Sequence, residues 1–464
     1  LFERKWIGRI GIPFLFCVLF FGLQSWLVFN HRAKGNNETI LLADNSYSSS
    51  PYALAQATRS SNISPQELYH KAWHLIKESF YDQKFNGEDW NRWEHHYDGK
   101  IKTMEDSHKA IETMLASLAD PYTRFLDHDA FDEEKSQIEA HLFGVGMQLG
   151  MNKEHKVVVI APIEGTPASA AGIHPGDEII EVEGKPVKGQ SLDQVVKQIR
   201  GLINTKVSIS FLRKTEKHKV SMTRAEIPIR AVASTETLPG NIGYIRLDSF
   251  ISSKANAEMK ESLKKTSSCD GLIVDLRNNP GGLLSNAIDI ANMFLDGGVI
   301  VSTIDADQYK SSQTSTHSPI WKKPIVVLIN RGSASASEIL SGALRDNGRA
   351  KLVGEKSFGK GLVQAINKLE DSSGINVTIA RYLTPNDTDI HKVGIVPDFE
   401  VPLKDDDYTK GKGPWWIDLS YSSFKHSPQD GKDVQLNKAI DVIKSEITKS
   451  SANTTASAAQ SSNN

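Results

Sequence analysis

Residues 324–344 read PIVVLINRGSASASEILSGAL. An apolar strand runs through a Gly turn straight into a helix, which puts Ser335 near a helix N-terminus with Glu338 three residues further on. The same alternation continues on both sides. IGYIRLDSF (242–250), GLIVDL (271–276) and KLVG (351–354) are strand-like runs separated by helical stretches, the signature of an α/β sandwich around a mixed sheet. Between His141 and Ala225 the pattern differs. Short strands such as VVVIAP (157–162) and EIIEVEG (178–184), cut by Gly and Pro turns, predict a β-rich domain of about 85 residues. Before it, Ser64-Pro65 with Glu67 reads as an N-cap, a first-turn proline and a capping-box glutamate, opening a helical region over 64–140. The expected fold class is therefore mixed α/β. Its parts are helices over 64–140, a β-rich domain over 141–226, a sandwich core over 227–403, and a link, helix and low-complexity tail over 404–464, with the last helix spanning Val434 to Ile447.

The chain has 464 residues, 39% of them hydrophobic, enough to bury real cores, and 54 basic against 56 acidic side chains. That balance gives no electrostatic footprint for nucleic acid, so none is expected as a partner. Cys17 and Cys269 are the only cysteines, which excludes a disulfide framework or a cysteine zinc site. From Ile10 to Phe29 the chain carries no charge, and twenty residues of helix span about 30 Å, the thickness of a bilayer core. Residues 1–35 are accordingly expected to be a membrane anchor or signal, and the polar, Ser-rich stretch 36–63 a tether.

Three motifs fall short of chemistry. Gly354-x4-Gly359-Lys360 has Gly361 where a P-loop needs Ser or Thr, and a strand-like run follows instead of a helix. Gly144, Gly146 and Gly150 are spaced one residue too far for a dinucleotide fingerprint. His95 and His96 stand together without a second ligand cluster, so neither metal nor cofactor is expected.

Ser335 has two readings. S-x-x-E is a capping box and needs no reaction; a helix N-terminus also offers free N–H groups and a positive dipole end to a developing oxyanion. A serine hydroxyl needs a base, and no histidine lies nearby in the sequence. Lys360, bracketed by Gly359 and Gly361 at the entrance to an apolar strand, becomes one if burial disfavours its charged form; a surface turn lysine is the plain alternative.

These segments resemble the carboxyl-terminal-processing, or tail-specific, serine proteases over most of residues 64–403. The resemblance implies Ser335 as nucleophile in GSASASEI, Lys360 as base in FGKG, and Gln364 as the residue that orients the lysine. DLRNNPGG (275–282) resembles the turn that gives an oxyanion N–H from Gly281 beside that of Ala336, and Glu338 and Asp346 match supporting positions. The β-rich domain resembles a PDZ module. Val145, Gly146 and Met147 then form its carboxylate-binding loop, and AGIHPGDEIIEVEG (171–184) its second hallmark. KFNGEDW (84–90) and DPYTRFL (120–126) look closest to the cyanobacterial and chloroplast branch, which trims a photosystem II precursor. The implied partners are protein or peptide substrates with a free C-terminus. The implied location is the inner membrane with the catalytic part in the periplasm or thylakoid lumen, or the periplasm itself if the first segment is cleaved. A catalytically inactive PDZ scaffold or chaperone is the rival.

Overall fold

The computed structural model describes residues 63–461, apart from residues 140, 153, 164, 229, 317, 405–406, 408–411 and 417–426. The apolar run 10–29 and the tether, save Ile63, lie outside the described residues. Among the described residues no helix is long and apolar enough to cross a membrane, so the expected anchoring has no support there.

Two compact units emerge, residues 142–227 and the remainder. The larger begins with helix α1 (Pro65–Ser79), where Ser64 Oγ accepts the Glu67 N–H at 3.2 Å and Pro65 opens the first turn. Helix α2 (Met104–Ala116) is closed by a reciprocal box between Thr103 and Asp106. Strand β1 (Arg124–Leu126) and helix α3 (His128–Ile138) follow. After the inserted unit come β2 (Val232–Leu238), β3 (Ile242–Leu247), α4 (Ala255–Lys265), β4 (Gly271–Asp275), α5 (Leu284–Asn292), β5 (Val299–Asp305) and β6 (Lys310–Thr314). Then come β7 (Ile325–Ile329), α6 (Ala336–Asp346), β8 (Lys351–Gly354), β9 (Leu362–Lys368), β10 (Gly374–Leu383), β11 (Phe399–Glu400) and α7 (Val434–Ser461).

One sheet has the order β2-β3-β4-β7-β8-β11, parallel except for β2. Strand β7 is apolar at every position, and β4 at every position but its last, Asp275, because both faces are covered. Leu272, Val274, Val327 and Ile329 face α4, α5 and α6, whereas Ile273, Val326 and Leu328 face Leu436, Ala439 and Ile443 of α7. Each such side chain contributes roughly 1.5–3 kcal/mol by leaving water. The other sheet, β1-β10-β5-β6 with β9 on β10, is antiparallel. Ile375 and Val377 of β10 pack with Leu68, Trp73, Ile111 and Met114 in a second hydrophobic cluster, which joins the N-terminal helices to the same compact unit as the sandwich.

Helix α7 continues past Ile447 to Ser461, where composition predicted a disordered tail. Residues 448–461 contain neither Gly nor Pro, so nothing in them stops a helix already nucleated on the sheet.

Residues 142–227 form an antiparallel sheet of Met147–Met151, Val157–Pro162, Glu178–Val182, Lys206–Arg213 and Glu216–Thr223, with Lys185–Pro186 at its side. The helix Leu192–Ile199 opens on a Ser191–Gln194 capping box and closes on Arg224, whose guanidinium donates to the carbonyls of Ile199 and Gln198 at 2.7 and 3.1 Å.

Beneath β4 lies a buried charge cluster. Arg277 is enclosed by Asp275 and by Asp433 at the foot of α7, and both carboxylates receive paired guanidinium hydrogen bonds of 2.7–3.1 Å. Tyr244 Oη donates to Asp275 at 2.8 Å, and Trp416 lies 4.8 Å from the guanidinium carbon. Removing one carboxylate strands a buried cation. Asp433→Ala is therefore expected to lower unfolding free energy by about 3–5 kcal/mol, measured by urea denaturation.

Candidate active site

The turn after β7 brings the chain into α6 through Ser335, which has φ 55° and ψ −116° and is 1% exposed. A non-glycine residue held there stores roughly 1–3 kcal/mol of strain and persists only when its surroundings fix it. Here they do. The Ser335 N–H donates to Glu338 Oε2 at 2.9 Å, and its carbonyl accepts from Tyr382 Oη at 3.1 Å and from the N–H groups of Glu338 and Ile339.

Glu338 does more than the capping box required. Its Oε1 accepts from Ser357 Oγ at 2.5 Å and the Gly359 N–H at 2.7 Å, and its Oε2 from the Lys360 and Ser335 N–H groups, both at 2.9 Å. Ser357 Oγ itself accepts the Ile395 N–H, so its proton points at Glu338. Burial pushes the Glu338 carboxyl upward, and the four hydrogen bonds pull it down. With every lone-pair direction met by a donor, no acceptor is left for a carboxyl proton, and the group is the carboxylate.

The Lys360 side chain is 6% exposed, and its Nζ stands 4.7 Å from the centre of the Tyr122 ring. Burial pushes the ammonium down to about 8, against the pull of Glu134, Asp120 and Glu338. Gln364, at a bulge in β9, is fully buried. Its Nε2 donates to Thr378 Oγ1 at 3.4 Å, and its Oε1 has no partner among the described residues. Beside the lysine opens a cleft of about 440 Å³ lined by Asp120, Tyr122, Gly359, Leu362 and His391, with Phe358 58% exposed at its edge.

The two expected oxyanion donors differ. Ala336 is the first residue of α6, where an N–H has no intrahelical acceptor. Gly281 lies so near that a Cβ on it would stand 2.8 Å from Ser335 Cβ, but its N–H donates to Asn279 Oδ1 at 2.9 Å. That N–H reaches an oxyanion only by sharing or turning. Asp346 is set apart, about 15 Å along α6; it accepts from Arg345 Nε and the Asn386 N–H.

In the smaller unit, Val145 is buried, and the Val145 and Gly146 carbonyls accept from the Ala168 and Ile163 N–H groups at 2.7 and 2.9 Å. Gly146 has φ +76°, and a Cβ there would lie 2.3 Å from Thr166 Cβ. Met147 begins the strand Met147–Met151. Sequence reasoning gave no role to Tyr382 and Glu134, which stand in no telling local pattern, nor to Asp120 and Asn279, which lie inside the quoted DPYTRFL and DLRNNPGG segments. Among the described residues no His, Cys, Asp or Glu cluster is arranged to hold a metal.

Residues 241–401 match peptidase family S41, residues 135–210 a PDZ domain and residues 64–112 the tricorn protease C1 domain. A carboxyl-terminal-processing protease of Synechocystis sp. is 41% identical over 351 residues, 73% of this chain and 82% of that protein. The chain belongs to peptidase family S41. This serine peptidase is also 35% identical to the chloroplastic carboxyl-terminal-processing peptidase 2 of Arabidopsis thaliana, over 72% of the chain and 68% of the relative. A solved photosystem II D1 C-terminal processing protease shares 34% identity and a TM-score of 0.52, covering 73% of this chain and 93% of that one. The S41 peptidase is thus a C-terminal processing protease that carries a PDZ domain.

Glu338→Gln turns an NH₂ toward N–H donors and misplaces the backbone at both Ser335 and Lys360. Peptide hydrolysis is expected to fall about 100-fold or more, while Asp346→Asn, at the far end of α6, retains most activity in the same assay.

Proposed function

We propose that this peptidase cleaves proteins near a free C-terminus by a Ser335–Lys360 acyl-enzyme mechanism, with the PDZ domain reading the terminal carboxylate. The observation that carries this reading is the Glu338 carboxylate, which holds the backbone of a strained serine and that of a buried lysine at once. Neutral Lys360 removes the Ser335 proton as Oγ bonds to the scissile carbonyl carbon, and the carbonyl electrons move onto oxygen. The Ala336 N–H, with Gly281 once its N–H is shared, supports that oxyanion. The tetrahedral intermediate collapses, the amine leaves with the proton from Lys360, and water repeats the sequence on the acyl ester. Gln364 orients the amine through its unpartnered Oε1, and Glu338 holds the frame. The catalytic part faces the periplasm or a lumen, tethered through residues 1–35. The rival reading, an inactive scaffold, leaves unexplained why a lysine is kept in a poorly solvated place.

With the amine at about 8, only about a tenth is neutral at pH 7, and kcat/KM is expected to climb with pH and level off above 8. Ser335→Ala and Lys360→Arg should each lower it about 10⁴-fold with thermal unfolding little changed. Turnover above a tenth of wild type in either variant refutes the dyad.

The carboxylate reading is tested separately. A substrate amidated at its C-terminus loses the charge that Val145, Gly146 and Met147 would meet, and should be cut at least about 10-fold more slowly than the free acid. Equal rates would overturn it.

A further inference from the structure

Three carboxylates act on the Lys360 ammonium: Asp120 from the loop before β1, Glu338 from α6 and Glu134 from α3, with the Arg124 guanidinium of β1 opposing them. Two are fixed. Glu338 is saturated by four donors, and Asp120 accepts from Thr123 Oγ1 at 2.7 Å, Thr378 Oγ1 at 2.6 Å and the Tyr122 N–H at 3.1 Å. Glu134 is different. Its side chain is 5% exposed, yet it receives only long hydrogen bonds, from Asn376 Nδ2 at 3.2 and 3.3 Å and from Arg124 Nη2 at 3.3 Å. A carboxylate so enclosed and so weakly held is under-compensated.

The sheet connects it to the lysine side of the site. Asn376 pairs with Arg124 across β10–β1 and with Ile366 across β10–β9; Gln364 pairs with Thr378, two residues further along the same face. Gln364, Thr378 and Asn376 thus form a buried polar strip that ends on Glu134. Two acceptors in it, Gln364 Oε1 and Asn376 Oδ1, are buried without a partner among the described residues. Unmet buried acceptors in this polar strip are places that bound water fits.

We infer that Glu134 is a positioning residue for the reaction, acting through Lys360 by setting the pH at which the lysine becomes a base. The inference rests on Lys360 being the base. Burial pushes the Glu134 carboxyl up to about 7, so its charge changes close to the range in which the lysine loses its proton. The other charges facing Glu134 are Arg124, Lys360 and, on its own helix, Glu133. Ionised Glu134 stabilises the ammonium, so removing its charge favours the amine.

The experiment compares wild type, Glu134→Gln and Glu134→Asp, using kcat/KM against pH on a peptide and, in a Ser335→Ala background, the rate of Lys360 carbamylation by cyanate read by mass spectrometry. In Glu134→Gln both ascending curves should move to lower pH by about one unit, whereas Glu134→Asp keeps the wild-type position. A curve that stays in place while kcat falls at every pH makes Glu134 a plain partner of Arg124 and overturns the inference alone. If in wild type the activity limb does not follow Lys360 carbamylation, the lysine is not the base, and both readings fall.

Discussion

The active arrangement hangs on one buried carboxylate. Glu338 ties the N-terminus of α6, which follows β7, to the loop 357–360, which leads from the neighbouring β8 into β9 of the other sheet. Without it the Ser335 N–H loses its acceptor, leaving only the bonds to the Ser335 carbonyl to hold φ 55°, and the lysine loop loses its attachment to the helix. The rest of the core can be read as support for that bond. The parallel sheet fixes where β7 ends and α6 begins, and the β9–β10 pair carries the chain onward from the lysine.

The same economy governs the charge balance. Burying an ammonium unfavourably is what lets a lysine lose its proton near neutrality, and here the cause is desolvation of Lys360. Carboxylates nearby would undo the effect if all were strongly ionised. Two are occupied by N–H and O–H donors that spread their charge, and the third is buried enough to hold a proton itself.

Local chemistry was legible in the sequence where it is local in the chain. The strand–turn–helix around Ser335, the Ser64 cap and the alternation that separates the β-rich unit from the sandwich all follow from patterns a few residues long. The capping-box reading of Glu338 was correct and incomplete. Ser335 is its near partner, whereas Ser357, Gly359 and Lys360 reach it only in the folded chain. Glu134 lies in an acidic helix, DEEKSQIE, that resembles any solvated face, and only the pairing of β1 with β10 encloses it. The Asn279 side chain on the Gly281 N–H is equally invisible in NNPGG. The end of α7 was misjudged because composition was weighed without the helix that feeds it.

Arg277 stands in the turn that reaches the nucleophile, and one of its two counter-charges, Asp433, comes from a part of the chain made long after Ser335 and Lys360. During synthesis, a chain that already contains Ser335 and Lys360 still lacks one of the two acids that neutralise the Arg277 guanidinium. The charge of Arg277 is fully balanced only when the foot of α7 arrives.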